Sequence, residues 1–499
     1  METCGAELNR NLERKLTPLN VWALAFGCTI GWAAFIMPGT VFLNRAGPVG
    51  SMIAIQIGLF VMLILSYSYH YMLRRFPVNG GEYVYARMAF GDGVGFVCAW
   101  FLSLCYLCVI PLNATALGLM ARTLFGDALQ FGFHYKIAGY DVYLGELLLA
   151  LVPLALVTLL GALHVSVPGN VQTLLAFLLL GGVLLMVVSV LFQSRSLTGN
   201  LYPMFQTDES IPLQIIAVAV TAPQLFVGFD TVPQFSEEET FSPDGAKVVM
   251  DTCIMVSAFV YIALTFLAAS APVSYLDWRG YIYDLPRKRG IVSIPTLYAA
   301  HHLLGNAGLW VWGVAATSAM LTGILGFCLA TSRLLRSLAQ DGLLPEPLAR
   351  LNRNNAPFRA ALFCTGLSAV MLLMGRTALN WVFDMASLGG AVSFACTCLA
   401  ARKFALRDGR GDIAVFGLLG FLLSSALAFF LLVPVPALGC SISAESYAGL
   451  VLWSAVGAAF FLRRRRKIHG LPAELPGGLS EELSVEEIKA EEFPLEMEA

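Results

Sequence analysis

The chain has 499 residues, of which 58% are hydrophobic and 13% charged, and its mean hydropathy is +0.73. Soluble domains carry about 25% charged residues, so this composition excludes an ordinary soluble protein and predicts an all-α polytopic membrane protein. The net charge of −2 is uninformative, and no basic aromatic surface suggests a nucleic-acid partner. The 11 cysteines are scattered without metal-ligand spacing, so neither a disulfide framework nor a metal site is expected.

Twelve apolar runs are long enough to cross a bilayer, which takes about 20 residues. The polar residues 1–16 are expected to form a cytosolic tail without a cleavable signal peptide. The twelve spans are predicted near 20–43, 49–73, 93–123, 144–164, 170–192, 212–236, 248–272, 306–334, 358–375, 379–402, 412–433 and 445–462.

The loops between these spans differ in positive charge. Most Lys and Arg residues, including the run 463–467, fall on one side, and few, among them Arg122 and Arg376, fall on the other. Cytosolic loops carry the excess of Lys and Arg. Both termini are therefore predicted to be cytosolic, in a multi-pass protein of the cell (inner) membrane.

The first span, VWALAFGCTIGWAAFIMPGTVFL (21–43), is interrupted by glycine and proline. Gly27 and Gly31 are expected to break its middle, and Pro38 follows. Free backbone groups at this depth are tolerated only where they are buried in protein or line a wet cavity.

The sixth span, 212–236, carries the same kind of interruption at Pro223, Gly228 and Pro233. Each break alone is equally well explained as a packing kink, because Gly and Pro are common in membrane helices. Two breaks at corresponding positions of two halves instead indicate the substrate site of a transporter.

The matched breaks also predict how the chain is organised. Residues 17–205 and 206–405 would form two five-helix repeats of inverted topology, with helices 1 and 6 broken. Two additional helices would follow in 406–465, and the Glu-rich residues 466–499 would form an acidic, solvated cytosolic tail.

Broken helices can recognise a charged ligand without charged side chains. The segment that restarts at Ala33 would present backbone N–H groups to a carboxylate, and the segment that ends near Phe226 would present carbonyls to an ammonium group. Together these ends predict binding of a zwitterion such as an α-amino acid.

Asp230 is an acidic residue well inside a predicted span. Burial there favours the protonated carboxyl, so this residue is a candidate proton carrier or gate. An equally supported alternative is a carboxylate that caps the restarted half of helix 6.

Other polar or aromatic residues are weaker candidates. Ser318 and Thr322 lie one turn apart on helix 8 and, with Gly27, are candidate cavity or ion contacts, although small polar residues more often hold membrane helices together. Trp32 lies in the first break and either stacks on a substrate or is packed in the core.

Four segments resemble the amino acid–polyamine–organocation (APC) transporter family, over roughly residues 17–465. They are GCTIGWAAFIMPG (27–39), FPVNGGEYVYARMAFGDGVGFVCAW (76–100), FVGFDTVPQFSEE (226–238) and SRLLRSLAQDGLLPEPLARLNRNNAP (332–357).

The resemblance implies a fold in which helices 1 and 6 unwind around the substrate. It places the substrate carboxylate on the backbone of Gly31, Trp32, Ala33 and Ala34, and the amine on the backbone of Phe226, Val227 and Gly228, with Asp230 at the acidic position of the helix 6 motif. Two departures stand out: the family's Ser-Gly is Trp32-Ala33 here, and helix 5 has no lysine.

The sequence thus predicts a secondary transporter of amino acids or related amines, working by alternating access as a proton symporter or exchanger. No cofactor is expected, and the motifs of hydrolases and ATP-binding loops were not found, so an enzyme is disfavoured. The alternative is a nutrient sensor with this fold that signals through its cytosolic tail. The oligomeric state is left open.

Overall fold

A computed structural model describes residues 12–193, 197–206, 210–271, 277–435, 438–439 and 441–468. In chain order its α-helices are α1 (Pro18–Thr29), α2 (Trp32–Met37), α3 (Leu43–Arg75), α4 (Glu82–Phe90), α5 (Asp92–Phe125), α6 (Leu144–Leu160), α7 (Ser166–Gln193), α8 (Leu197–Asn200), α9 (Ile211–Ala219), α10 (Pro243–Ala269), α11 (Trp278–Tyr283), α12 (Pro295–Leu304), α13 (Asn306–Gln340), α14 (Phe358–Leu372), α15 (Gly375–Arg407), α16 (Gly411–Leu432) and α17 (Ala444–Ile468).

Shorter elements connect these helices. A π-helical turn, Pro38–Phe42, joins α2 to α3, and a hairpin of β1 (His134–Ile137) and β2 (Tyr140–Tyr143) precedes α6. The 3₁₀ turns are Gly126–Leu129, Ala222–Phe226, Phe229–Phe235, Leu285–Arg287, Gly290–Ser293 and Glu346–Leu348.

The helices have the length and composition of membrane spans. In the described ranges, 9 helical stretches are long and apolar enough to cross a bilayer, and α6 and α14 are shorter apolar helices. The expected all-α polytopic class is thus confirmed. Helices also occupy each of the twelve expected stretches, but the number of spans and the inverted repeat remain predictions.

Helix α1 lies at the centre of the bundle, between α7 and α13. It begins at a capping box in which Thr17 and Asn20 satisfy each other's backbone amides, with Pro18 at the first helical position. Gln172 of α7 donates to the carbonyls of Ala23 (3.3 Å) and Thr322 (3.1 Å) and so joins the three helices.

The expectation that Gly27 breaks the first span is wrong, because this residue is helical within α1. Its role is close packing: a Cβ at Gly27 would lie 2.5 Å from the Thr322 Cβ and 2.2 Å from the Gln172 Nε2. Small residues let membrane helices approach closely in this way.

One end of the bundle is sealed by buried charges. Glu238 accepts two hydrogen bonds from the Arg333 guanidinium, at 2.8 and 2.9 Å, and both side chains are almost fully buried. The Glu238 carbonyl also accepts the amides of Lys15 and Leu16. This contact ties the start of the chain, the segment after the second break and α13 into one layer.

Candidate functional site

The first break separates α1 from α2. Helix α1 ends at Thr29, Ile30 and Gly31 are extended, and Trp32 restarts the helix with Gly31 as its N-cap. The carbonyl of Thr29 accepts the Tyr261 hydroxyl at 3.3 Å. The break thus lies at Gly31, as the sequence indicates, and the freed carbonyl of Thr29 has a side-chain partner.

An asparagine side chain accepts a hydrogen bond from one of the backbone amides expected to bind substrate. The Trp32 amide donates to Asn113 Oδ1 of α5 at 3.0 Å. A substrate carboxylate at this helix start would therefore share the Trp32 amide with Asn113 or displace the Asn113 side chain from it. The sequence reasoning missed Asn113, since a lone amide in an apolar span usually holds helices together.

The second break follows α9. A 3₁₀ turn, Ala222–Phe226, leads to Gly228, whose φ of +136° lies in the region that favours glycine, and a second 3₁₀ turn, Phe229–Phe235, follows. A Cβ at Gly228 would lie only 2.6 Å from the Thr29 nitrogen. The two breaks therefore touch each other.

A cavity of about 600 Å³ lies beside the two breaks and extends toward α12 and the start of α15. Of the predicted binding residues, Gly31, Trp32, Ala33 and Val227 line it. Cavities of about 300–1,000 Å³ are typical of small-molecule sites. This volume and position suit a small ligand held between the breaks.

The remaining predicted residues lie behind the cavity wall: Ala34, Phe226, Gly228, Asp230, Gly27, Ser318 and Thr322 are not in the lining. The Thr322 hydroxyl donates to the Ala319 carbonyl at 3.0 Å while its side chain packs on Gly27. Trp32, besides lining the cavity, contacts Trp312 edge-on with ring centroids 6.0 Å apart.

Asp230 is completely buried just past the second break. Its Oδ1 accepts the Gly228 amide at 2.6 Å and its Oδ2 accepts the Tyr106 hydroxyl at 2.8 Å. The carboxylate therefore satisfies the backbone N–H behind it, at the break itself. Tyr106, which the sequence did not single out, fixes its other oxygen.

A second buried acid, Glu82, lies one step farther toward the sealed end. It accepts the Tyr69 hydroxyl (3.2 Å) and the Gln234 side-chain amide (2.8 Å) and is fully buried. In the part of the chain that the structure describes it forms no ion pair. Burial raises the pKa of this carboxyl well above its usual range, and the nearby Asp230 raises it further.

Asp230 and Gln234 stand on the same 3₁₀ segment. This segment therefore joins the two carboxyl groups in a line that leads from the breaks toward the sealed end. The sequence reasoning passed over Glu82 because it falls in the connection before α5, where a glutamate is expected to be solvated.

Comparison with known proteins is consistent with this architecture. The model of the amino acid permease family matches residues 16–461. The chain is 24% identical to the methylthioribose transporter of Bacillus subtilis, over 94% of this chain and 97% of that protein.

Two further relatives have similar identity. The branched-chain amino acid permease BcaP of Lactococcus lactis is 22% identical over 92% of this chain and 97% of its own. Cationic amino acid transporter 2, vacuolar, of Arabidopsis thaliana is 24% identical over 78% of this chain and 58% of that longer protein. With a family match across nearly its whole length, the chain belongs to the amino acid permeases of the APC family, which are membrane transporters and not enzymes.

Proposed function

We propose that this protein is a secondary transporter of amino acids or related amines that works by alternating access. The observation that carries the proposal is the contact of two broken helical segments beside one cavity, with the buried Glu238–Arg333 ion pair sealing one end of the bundle. An open side and a sealed side are what one state of an alternating-access cycle requires.

In this proposal the substrate binds as a zwitterion at the breaks. Its carboxylate approaches the helix start at Gly31–Ala34, and its amine approaches the carbonyls around Phe226–Gly228. Gly31, Trp32, Ala33 and Val227 line the cavity, which supports their contact with substrate. Phe226, Gly228 and Ala34 would act through the backbone behind it. Of the three relatives, two are named for amino acids and one for methylthioribose, so the amino acid class rests on those two and on the family, and the names favour no single amino acid.

The proposed topology is twelve spans, the first ten forming two inverted five-helix repeats, in the cell (inner) membrane. Both termini would be cytosolic, because the sealed end carries the loops rich in Lys and Arg. The structure would then correspond to a state open to the outside.

We propose that Asp230 couples transport to protons. In its ionised form it holds the Gly228 amide through a charge-assisted hydrogen bond, and protonation weakens that bond. Loss of the bond would free the second break to rearrange. Glu82, joined to the same segment through Gln234, would stay protonated near neutral pH and so leave Asp230 as the group that takes up the transported proton.

The test is uptake of a panel of labelled amino acids into proteoliposomes, with and without internal substrate, at two external pH values. Accumulation driven by external acid supports proton symport, and Asp230→Asn should then abolish the pH dependence. Strong stimulation by internal substrate supports exchange, with Asp230 as a gate.

An absence of flux for every amino acid and amine would overturn the proposal and favour the sensor. That alternative depends on the acidic tail beyond Ile468, which lies outside the described residues. Deletion of residues 470–499 should leave flux intact in a transporter.

A further inference from the structure

The cavity wall carries one charged side chain. Among the described residues that line the cavity there is no Asp, Glu, Lys or His, and the one charged group is Arg376, on the first turn of α15. The sequence had placed Arg376 in a loop. An ionised side chain within a transporter cavity is a functional candidate by default, since its burial is costly.

Two hydrogen bonds fix the Arg376 head group to α5. Its Nη1 donates to the Leu112 carbonyl and to the Thr115 hydroxyl, both at 3.1 Å. In the described part of the chain, Nε and Nη2 form no hydrogen bond. The guanidinium is thus held in place with donors to spare.

Neighbouring charges do not neutralise Arg376. No carboxylate in the described ranges pairs with it. Glu146, on the adjoining α6, is bound by Arg122, and Asp141 of β2 lies 3.9 Å from Lys136. The positive charge at the cavity wall is therefore uncompensated by these side chains.

The anchor of Arg376 lies close to the first break. Leu112 and Thr115 flank Asn113, whose Oδ1 binds the Trp32 amide. These residues span about one helical turn, or roughly 5 Å along the axis. A ligand whose carboxylate sits at the break would then need a side chain of about this length to meet the guanidinium.

We infer that Arg376 forms a subsite for a side-chain oxygen of the substrate, so that the transporter selects amino acids with a carboxylate or carboxamide side chain and rejects cationic ones. The inference rests on the proposed function and deepens it. Arg binds carboxylates through paired hydrogen bonds, and a lysine or arginine side chain would instead meet a like charge.

The test compares glutamate, glutamine, leucine and lysine as competitors of uptake by the full chain in proteoliposomes. We expect glutamate or glutamine to bind best in the parent protein. Arg376→Gln should weaken the binding of glutamate about 10- to 100-fold, which is the effect of one charged hydrogen bond, and the binding of leucine less than about threefold. Arg376→Glu should gain recognition of lysine.

Lys136→Gln is the matched control, because it removes a positive charge of the same end of the bundle outside the cavity. It should leave all four affinities unchanged. If a variant cannot transport, its affinities can be measured instead from the ligand-induced shift in Tm in detergent.

Equal weakening of all four ligands in Arg376→Gln would overturn the subsite and assign Arg376 to the α-carboxylate or to packing. Preference of the parent for lysine or leucine would overturn it as well, while leaving amino-acid transport intact. No flux and no binding for any amino acid would overturn the proposed function itself.

Discussion

Replacing Glu238 with glutamine should unseal the closed end of the bundle. The pair with Arg333 has bonds of 2.8 and 2.9 Å, with side chains only 1% and 2% exposed. Removing one partner of such a pair leaves an unpaired buried charge, at a cost of about 3–5 kcal/mol. A conformation in which water reaches Arg333 escapes most of that cost. Since 1.4 kcal/mol is a tenfold change, the equilibrium should shift toward that conformation about a hundredfold or more.

A cysteine reporter in the cavity measures this shift. In a background without native cysteines, Asn380→Cys places a thiol in the cavity lining. Labelling by a membrane-impermeant maleimide from the open side should slow strongly when Glu238→Gln is added. Glu346→Gln is the control, because its pair with Arg350 (2.9 Å) is exposed and worth about 0–1 kcal/mol. It should leave the labelling rate unchanged.

Removal of both charges should rescue the closed end. Combining Glu238→Gln with Arg333→Met removes both charges, so the labelling rate should return toward that of the parent. An unchanged rate in Glu238→Gln, or a double variant more impaired than the sum of the single ones, would refute the role of the ion pair as a lock.

Three further predictions concern the breaks and the sealed end. Glu82→Gln should retain uptake at neutral pH and flatten its alkaline decline, because the raised pKa keeps this carboxyl protonated until the pH rises; a steeper decline in uptake assays would contradict this. Gly228→Ala should lower the Tm more than Gly91→Ala. Both glycines have positive φ, but only at Gly228 would the added Cβ lie within 3 Å of backbone atoms. Burial and the Glu238 charge raise the pKa of Glu239 to about 8, so the folded state holds this proton more tightly than the unfolded chain. Stability should therefore fall as the pH rises from about 4.5 to 8, and Glu239→Gln should reduce that fall in Tm scans; an identical fall would exclude Glu239 as its cause.

The breaks could be predicted from local sequence because each carries a glycine. Gly228 adopts positive-φ backbone, which glycine permits. Gly31 is extended, as any residue can be, and a Cβ there would lie 2.9 Å from the Asn113 Oδ1. Gly27 has the same chemistry, yet it remains helical, and neighbouring helices leave no room there for a side chain. A glycine in the sequence therefore does not reveal whether its helix is broken there or whether a neighbouring helix packs closely against it.

The site's side chains could not be predicted because their partners are distant in the chain. Asn113 lies 81 residues from the Trp32 amide it binds, and Tyr106 lies 124 residues from Asp230. Arg376 was missed because the predicted helix started too late. Helix α15 begins at Gly375, so a cation expected in a loop lies on a helix beside the cavity. A shift of a few residues at a helix start thus changes the chemistry inferred for the site.

The ionisable groups of the site are acidic on one side and basic on the other. Asp230 and Glu82 lie toward the sealed end without a cation bound in the described ranges, and Arg376 lies at the cavity wall, away from that end, without a carboxylate. A cationic amino acid entering with a proton would bring two positive charges past that guanidinium. An acidic amino acid entering with a proton brings no net charge: its side chain neutralises Arg376, and the proton neutralises one buried acid. Proton coupling and side-chain selection are thus proposed on different residues, and the charge balance of both favours the same class of substrate.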